Sequence, residues 1–255
     1  MPAGLASTAV LRVLRDARDA AASTGALLVA GPMAEQLARS LAAGGEPAAV
    51  RLAGPPEAVD AVVLVLAGAP APEEVEIARR AARAAVPVIA VQLDPAYTAE
   101  VPYVLATDVV PCPPGEGFPL AALGRALARR LGAEAYPLAG SLPRLREAVS
   151  SQAARQTAAQ NALVPLLPIA REAHFPVLAL NQLRLTLGLS VAQGREPGRA
   201  GPVDAAGTLA GALALRGLAR AVVPRLPFGR RLAQAAIAYA GTLALAEAAV
   251  RRPSP

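Results

Sequence analysis

Apolar positions recur at helical spacing at the start of the chain and then, after Gly25, change to short unbroken runs. Over Gly4–Ala22, Val10, Val13, Leu14 and Ala17 share one side while Arg12, Arg15, Asp16 and Asp19 face elsewhere. This pattern predicts an amphipathic helix that packs on the rest of the chain or docks a partner. The runs Ala26–Ala30, Ala48–Leu52, Ala61–Leu66 and Val86–Leu93 predict buried strands, and Tyr103–Val110 contains a fifth. Helical segments Met33–Ala43, Pro72–Ala85 and Pro119–Leu131 alternate with them. In Pro72–Ala85 the glutamates come first (Glu73, Glu74, Glu76) and the arginines later (Arg79, Arg80, Arg83), which suits both the helix dipole and i,i+4 pairing. Strands alternating with helices imply an α/β unit with a mostly parallel five-stranded sheet covered on both faces. The link Ala53–Asp60 is too short for a full parallel crossover, so the second and third strands are expected as antiparallel neighbours.

After Gly132 the pattern turns helical. Pro137, Gly140 and Pro143 mark a linker over residues 136–151, ending in a short helical run. Four helical segments follow: 152–163, 176–194, 203–223 and 229–250. The expected organisation is an N-terminal helix (1–24), the α/β domain (25–135), the linker, and an all-α helical domain (152–252). Pro176 opens the second of these helices, at the first helical position where its missing N–H costs nothing. Asn181, Gln182 and Arg184 interrupt its apolar run. The two amides are expected to fix packing, with ligand or partner binding as the alternative. Gly207 and Gly211 form a G-x-x-x-G, and Ala236, Ala240, Ala244 and Ala248 form a ridge beside Tyr239 and Thr242. Such surfaces allow close helix contact in a membrane or in a soluble bundle.

Composition narrows the chemistry. All 25 basic residues are arginine, so every role that needs a lysine is excluded, including phosphate-loop and Schiff-base chemistry. Cys112 and His174 are each alone, which leaves no internal disulfide, no cysteine-based metal site and few routes to a nucleophile–base pair. No catalytic residue, cofactor or metal is expected. The opening residues lack a signal-peptide pattern, with charge already at Arg12. The net charge of +6 favours an anionic surface, yet aromatics are only 3% and the arginines are dispersed, which argues against nucleic acid. The segment Arg231–Arg251 is long enough to span a bilayer, whereas Arg216 and Arg220 interrupt the helix before it. Arginines at both ends of the last helix give no orientation.

The segments DAVVLVLAG, VPVIAVQLD and YVLATDVVPCPPGEGFPLAALGRAL, with the expected mixed strand order, resemble the GTP-binding domain of Era/EngA-like GTPases. The nucleotide motifs are degenerate. GPMAEQLA stands in place of the phosphate loop, with Gln36, Leu37 and Ala38 where Gly-Lys-Ser/Thr belong, and LAGPPE has no metal-ligating Asp. Of the guanine-reading motif only Asp94 is present, after Val91, Gln92 and Leu93, and a turn is its commoner role. Gly115-Glu116-Gly117 is half of a dinucleotide fingerprint and reads as a loop.

PVLALNQLRLTLGLSVAQG, LRGLARAVVPRLPFG and AIAYAGTLALAEAA resemble a bacterial domain of unknown function found in the YcjF family of membrane proteins, also behind Era-like GTPase domains. In place of that family's Pro-Gly-Ala-Asp run stand Arg171, Glu172, Ala173 and His174. The resemblance implies architecture and a location, the cytoplasmic face of the inner membrane, peripheral or integral through the C-terminal helices. The expected function is that of a non-catalytic scaffold or regulatory adaptor with a protein partner, free to form homo-oligomers. The alternatives are a GTP/GDP switch using an atypical loop, and a soluble small-molecule-binding protein.

Overall fold

The computed structural model describes residues 3–94, 96, 97, 100–167, 171–195 and 230–251. These form two compact units: Ser23–Val149, and Met1–Ala22 together with Ser150–Pro255.

In the first unit the strands β1 (Leu27–Ala30), β2 (Val50–Arg51), β3 (Ala61–Leu66), β4 (Val88–Gln92) and β5 (Val109–Pro111) form one sheet of order β2-β1-β3-β4-β5. Every pair in it is parallel. The expected antiparallel pairing of the second and third strands is therefore wrong: β1 lies between them. The length rule presumes full strands, but β2 has only two residues, so the chain has little distance to retrace. The link is held by contacts rather than by length. The Arg51 guanidinium donates to Ala58 O, Asp60 Oδ2 accepts from Ala26 N at 2.8 Å, and Asp60 N donates back to Ala26 O at 2.9 Å. With the mixed order goes the topological part of the resemblance to GTP-binding domains.

The central strands are apolar on both faces because both are covered. Leu28, Val62, Leu64, Leu66, Val88 and Ala90 share one core with Ile77, Ala78 and Ala81 of the helix α3 (Pro72–Arg83). The alternate residues Leu27, Val29, Val63, Val65, Ile89 and Val91 are fully buried on the opposite side. There α2 (Ala34–Ala42) lies against β1 and β2, and α4 (Leu120–Leu131) against β4 and β5. Residues 136–151, expected as a linker, instead carry α5 (Ala135–Ser141) and the start of α6 (Arg146–Leu163). Leu138, Leu142 and Leu145 are completely buried. At Gly45 a Cβ would lie 2.3 Å from Ser141 O, so only glycine lets the two backbones meet there.

In the second unit α1 (Ala3–Ala22) packs on α7 (Arg171–Ala192), through Val13 and Ala17 against Leu183 and Leu187. The helix α8 (Arg230–Arg251) and α6 meet α7 through Ala246 and Ala249, Ala154, Leu185 and Leu189. Pro176 was expected to open its helix; α7 already runs from Arg171, and Pro176 sits inside it. Its exposed position on the first turns limits the cost of the lost backbone bond. The expected helix 203–223, with Gly207 and Gly211, lies outside the described residues.

Leu64→Ala should cost about 2–5 kcal/mol in urea unfolding, because Leu64 is fully enclosed between β-strands and α3. The ion pair that joins the link to α3, Glu57 to Arg80 at 2.8 and 2.9 Å, gives a pH signature. The hydrogen bonds from Arg80 hold the Glu57 carboxyl below its ordinary 4.5. The stability it adds is present above that value and lost as pH falls through the lower folded one. An NMR titration should show Glu57 moving up toward the ordinary value in Arg80→Ala. At the other extreme, burial pushes the Tyr136 phenol up to about 12. Its contribution is complete below about 10 and is lost as pH rises through 12, so Tyr136→Phe should remove the latest phase of the tyrosine absorbance titration.

Candidate functional site

In an open parallel sheet, ligands sit at the carboxyl ends of the strands where the order reverses, here between β1 and β3. A cavity of about 760 Å³ opens at that place, lined by the ends of β1, α2 and α3. Its floor is set by a close backbone contact. Gly31 has φ +98°, and a Cβ on it would lie 2.1 Å from Val65 O, so the turn out of β1 lies directly on the end of β3. Met33 follows in the left-handed region at φ 61°, and α2 begins immediately with no side-chain cap.

This turn has no room for a phosphate loop. Only Gly31, Pro32 and Met33 separate β1 from α2, so no backbone remains to wrap an anion. The residues aligned with Lys and Ser/Thr, Leu37 and Ala38, are buried on the core side of α2. The other helix terminus in the cavity is occupied by the protein's own carboxylate. Glu74, 9% exposed, accepts from Ala71 N through Oε2 at 2.7 Å. Glu35 and Glu73 stand on the rim with Arg39. An anion entering here meets negative charge at the helix ends that would otherwise attract it.

Asp94 closes a turn: its Oδ1 accepts from Ala96 N at 2.9 Å, and Tyr97 N donates to its carbonyl. Beside it Gln92 is buried at the end of β4, and neither polar atom of its side chain has a partner among the described residues. Gly115 and Gly117 both adopt positive φ, and the Cys112 thiol donates to Gly117 O at 3.3 Å. Burial pushes that thiol up, which keeps it protonated and unreactive at neutral pH. Among the described residues no group of His, Cys, Asp and Glu is arranged to hold a metal.

The polar residues of the helical unit are brought together in a way their spacing did not reveal. Asn161 of α6 is completely buried; its Nδ2 donates to Thr242 Oγ1 of α8 at 2.9 Å. Asn181 Nδ2 of α7 donates to Asn161 Oδ1 at 2.9 Å. Thr242 Oγ1 donates in turn to Ala238 O, 2.7 Å away in its own helix. Three helices are thus joined by one chain of hydrogen bonds, of which sequence reasoning had singled out Asn181 and Thr242 but missed Asn161. Gln182 is also buried, with Oε1 unpartnered among the described residues, and Thr186 and Ser190 continue its row along α7. Arg184 and Tyr239 are exposed and outside this network. The side chain of His174 lies outside the described residues.

The chain matches no family model, and neither the curated proteins nor the solved structures contain a significant match to it.

Gly31→Ala should destabilise the first unit by about 1–3 kcal/mol or more, read in urea unfolding, since it adds strain at positive φ to a collision with Val65 O.

Proposed function

We propose that the protein is a non-catalytic adaptor whose helical unit associates with a membrane, at the cytoplasmic face of the inner membrane, while the α/β unit engages a protein partner. The observation that carries this reading is α8. From Arg231 to Arg251 it is long and apolar enough to cross a membrane, with a mean hydropathy of 1.3, and only 33% of that window is buried. A core helix of the same length would hide most of its surface. At 1.5 Å per residue the segment measures about 30 Å, the thickness of a hydrocarbon core. Arginines stand at both ends, and Glu247, one turn from the end, pairs with Arg251 at 2.6 Å. The non-catalytic part is supported by the crevice: its short turn leaves no phosphate loop, and Glu74 occupies the helix terminus where a phosphate would bind.

Fractionation of cells producing the untagged protein tests the membrane reading. Recovery in the membrane pellet is expected, and a carbonate wash then separates integral from peripheral attachment. Complete recovery in the soluble fraction without detergent overturns it and favours a soluble binding protein. Calorimetry with GTP and GDP should show no binding. Tight binding that is lost on Asp94→Ala would make the protein a nucleotide switch instead.

A further inference from the structure

We infer that α8 is a latched membrane anchor, held in a docked position on α6 and α7 by the hydrogen bond from Asn161 to Thr242 and freed for insertion when that bond opens. The inference rests on the membrane reading above and concerns how that association is controlled.

Position is the first support. Thr242 lies near the midpoint of Arg230–Arg251, so in a spanning helix it would sit near the bilayer centre. In the docked position it is completely buried against Asn161. The same contact cannot persist in both places. On the turns before Asn161, α6 carries Arg155, Gln156 and Gln160, and arginine near the bilayer centre is costly. The helix that moves is therefore α8, and α6 stays behind.

The second support is an asymmetry between the two partners. Thr242 already donates to Ala238 O, the carbonyl one turn earlier in α8. Its hydroxyl remains satisfied inside a lipid-exposed helix, where every polar group needs an internal partner. Nothing in α8 itself opposes entry at this point. Asn161 carries the cost of release, since the move removes the acceptor of its Nδ2. While α8 is docked, that need for an acceptor holds its middle in place.

The third is the weakness of the remaining docked contacts. The fully buried apolar residues of α8 in the contact with α6 and α7 are Ala246 and Ala249, with Leu243 and Val250 partly buried beside them, and at the end of the helix the buried Arg195 donates to Ala249 O at 2.6 Å. On the opposite side Leu232 is 68% exposed and Tyr239 39% exposed. With an alanine-rich contact of modest area, the buried hydrogen bonds count for much of what keeps the helix down: the one from Arg195 grips its last turn, and the one from Asn161 holds its middle, the part that must enter the bilayer.

The test uses the full chain on vesicles of phosphatidylethanolamine and phosphatidylglycerol, with flotation reporting the bound fraction. The sequence contains no tryptophan. Leu232→Trp, at an exposed position of α8, therefore supplies a single fluorescence signal for insertion. Asn161→Ala and Thr242→Ala should each raise the bound-to-free ratio about tenfold. The double variant should rise no further than either single one, because both remove the same bond. Thr242→Ser, which keeps the hydroxyl, should behave as the parent. Circular dichroism should show unchanged helix content, which separates release from unfolding. Ala240→Arg, on the exposed side of α8 and away from the bond, should abolish binding in every background.

Loss of binding in Ala240→Arg with no change in Asn161→Ala or Thr242→Ala overturns the latch and leaves the membrane reading standing. Additive gains in the double variant also overturn the latch. Absence of binding by the parent and by all variants overturns both.

Discussion

The α/β unit depends on one constraint: β1, β3 and β4 are buried on both faces, so each must be covered twice. A parallel sheet meets that requirement by placing its crossovers on alternate sides, with α3 against the face of Leu28 and Leu64 and α2 with α4 against the face of Val29 and Val65. The same requirement draws in residues 136–149. Leu138, Leu142 and Leu145 are fully buried, and the backbone of Ser141 presses on Gly45. Even the crevice follows from it. Where the coverage changes sides, between β1 and β3, neither helix can lie over the strand ends, and a cavity remains.

What that cavity can hold is decided by how its helix ends are satisfied. An uncapped helix N-terminus facing a cavity is ready to bind an anion. At α3 this capacity is used internally, because Glu74 reaches back to Ala71 N and stays buried there. At α2 the turn is too short to embrace a ligand, and Gly31 is pressed on Val65 O. The missing lysine and hydroxyl at residues 37 and 38 are one aspect of a larger difference. The backbone and the local charge are arranged for closure, so restoring those side chains alone would not restore a phosphate site.

The strands were legible because AVVLVL and VPVIAVQL are unbroken and β-branched, a pattern that neither an amphipathic helix nor a loop produces. Strand order was not. The inference from link length assumed that β2 was as long as its neighbours, and β2 consists of Val50 and Arg51 alone. Pro176 misled for a related reason: a proline near a helix start reads as the start, although α7 accommodates it some residues in. In the candidate sites the signals were weaker still. Glu74 looked like one more acidic residue in a first turn, with nothing to mark the carboxylate as buried. Asn161 had no spacing signal, since its partners are 20 and 81 residues away in sequence. Only tertiary contact makes an asparagine in an alanine-rich helix the centre of a network.

Sequence hydropathy assigns one property to α8, yet the helix has two sides with different histories of contact. Its length and composition suit a bilayer, while Thr242, Ala246 and Ala249 are buried against protein. A helix built only for spanning would not need an acceptor aligned with Asn161. One built only for a soluble core would not leave Leu232 and Tyr239 exposed and only a third of that stretch buried. The two demands are reconciled by residues whose polar groups are satisfied within the helix. Alanine has none, and Thr242 bonds its own backbone whether or not Asn161 is there. The specificity of docking is thereby placed on α6 and α7, through Asn161 and Asn181, while α8 keeps a surface that is compatible with lipid. On this view the alanine-rich composition that weakens the hydrophobic drive for insertion also weakens docking, which leaves buried hydrogen bonds, Asn161 to the middle of the helix and Arg195 to its last turn, a large say in its position.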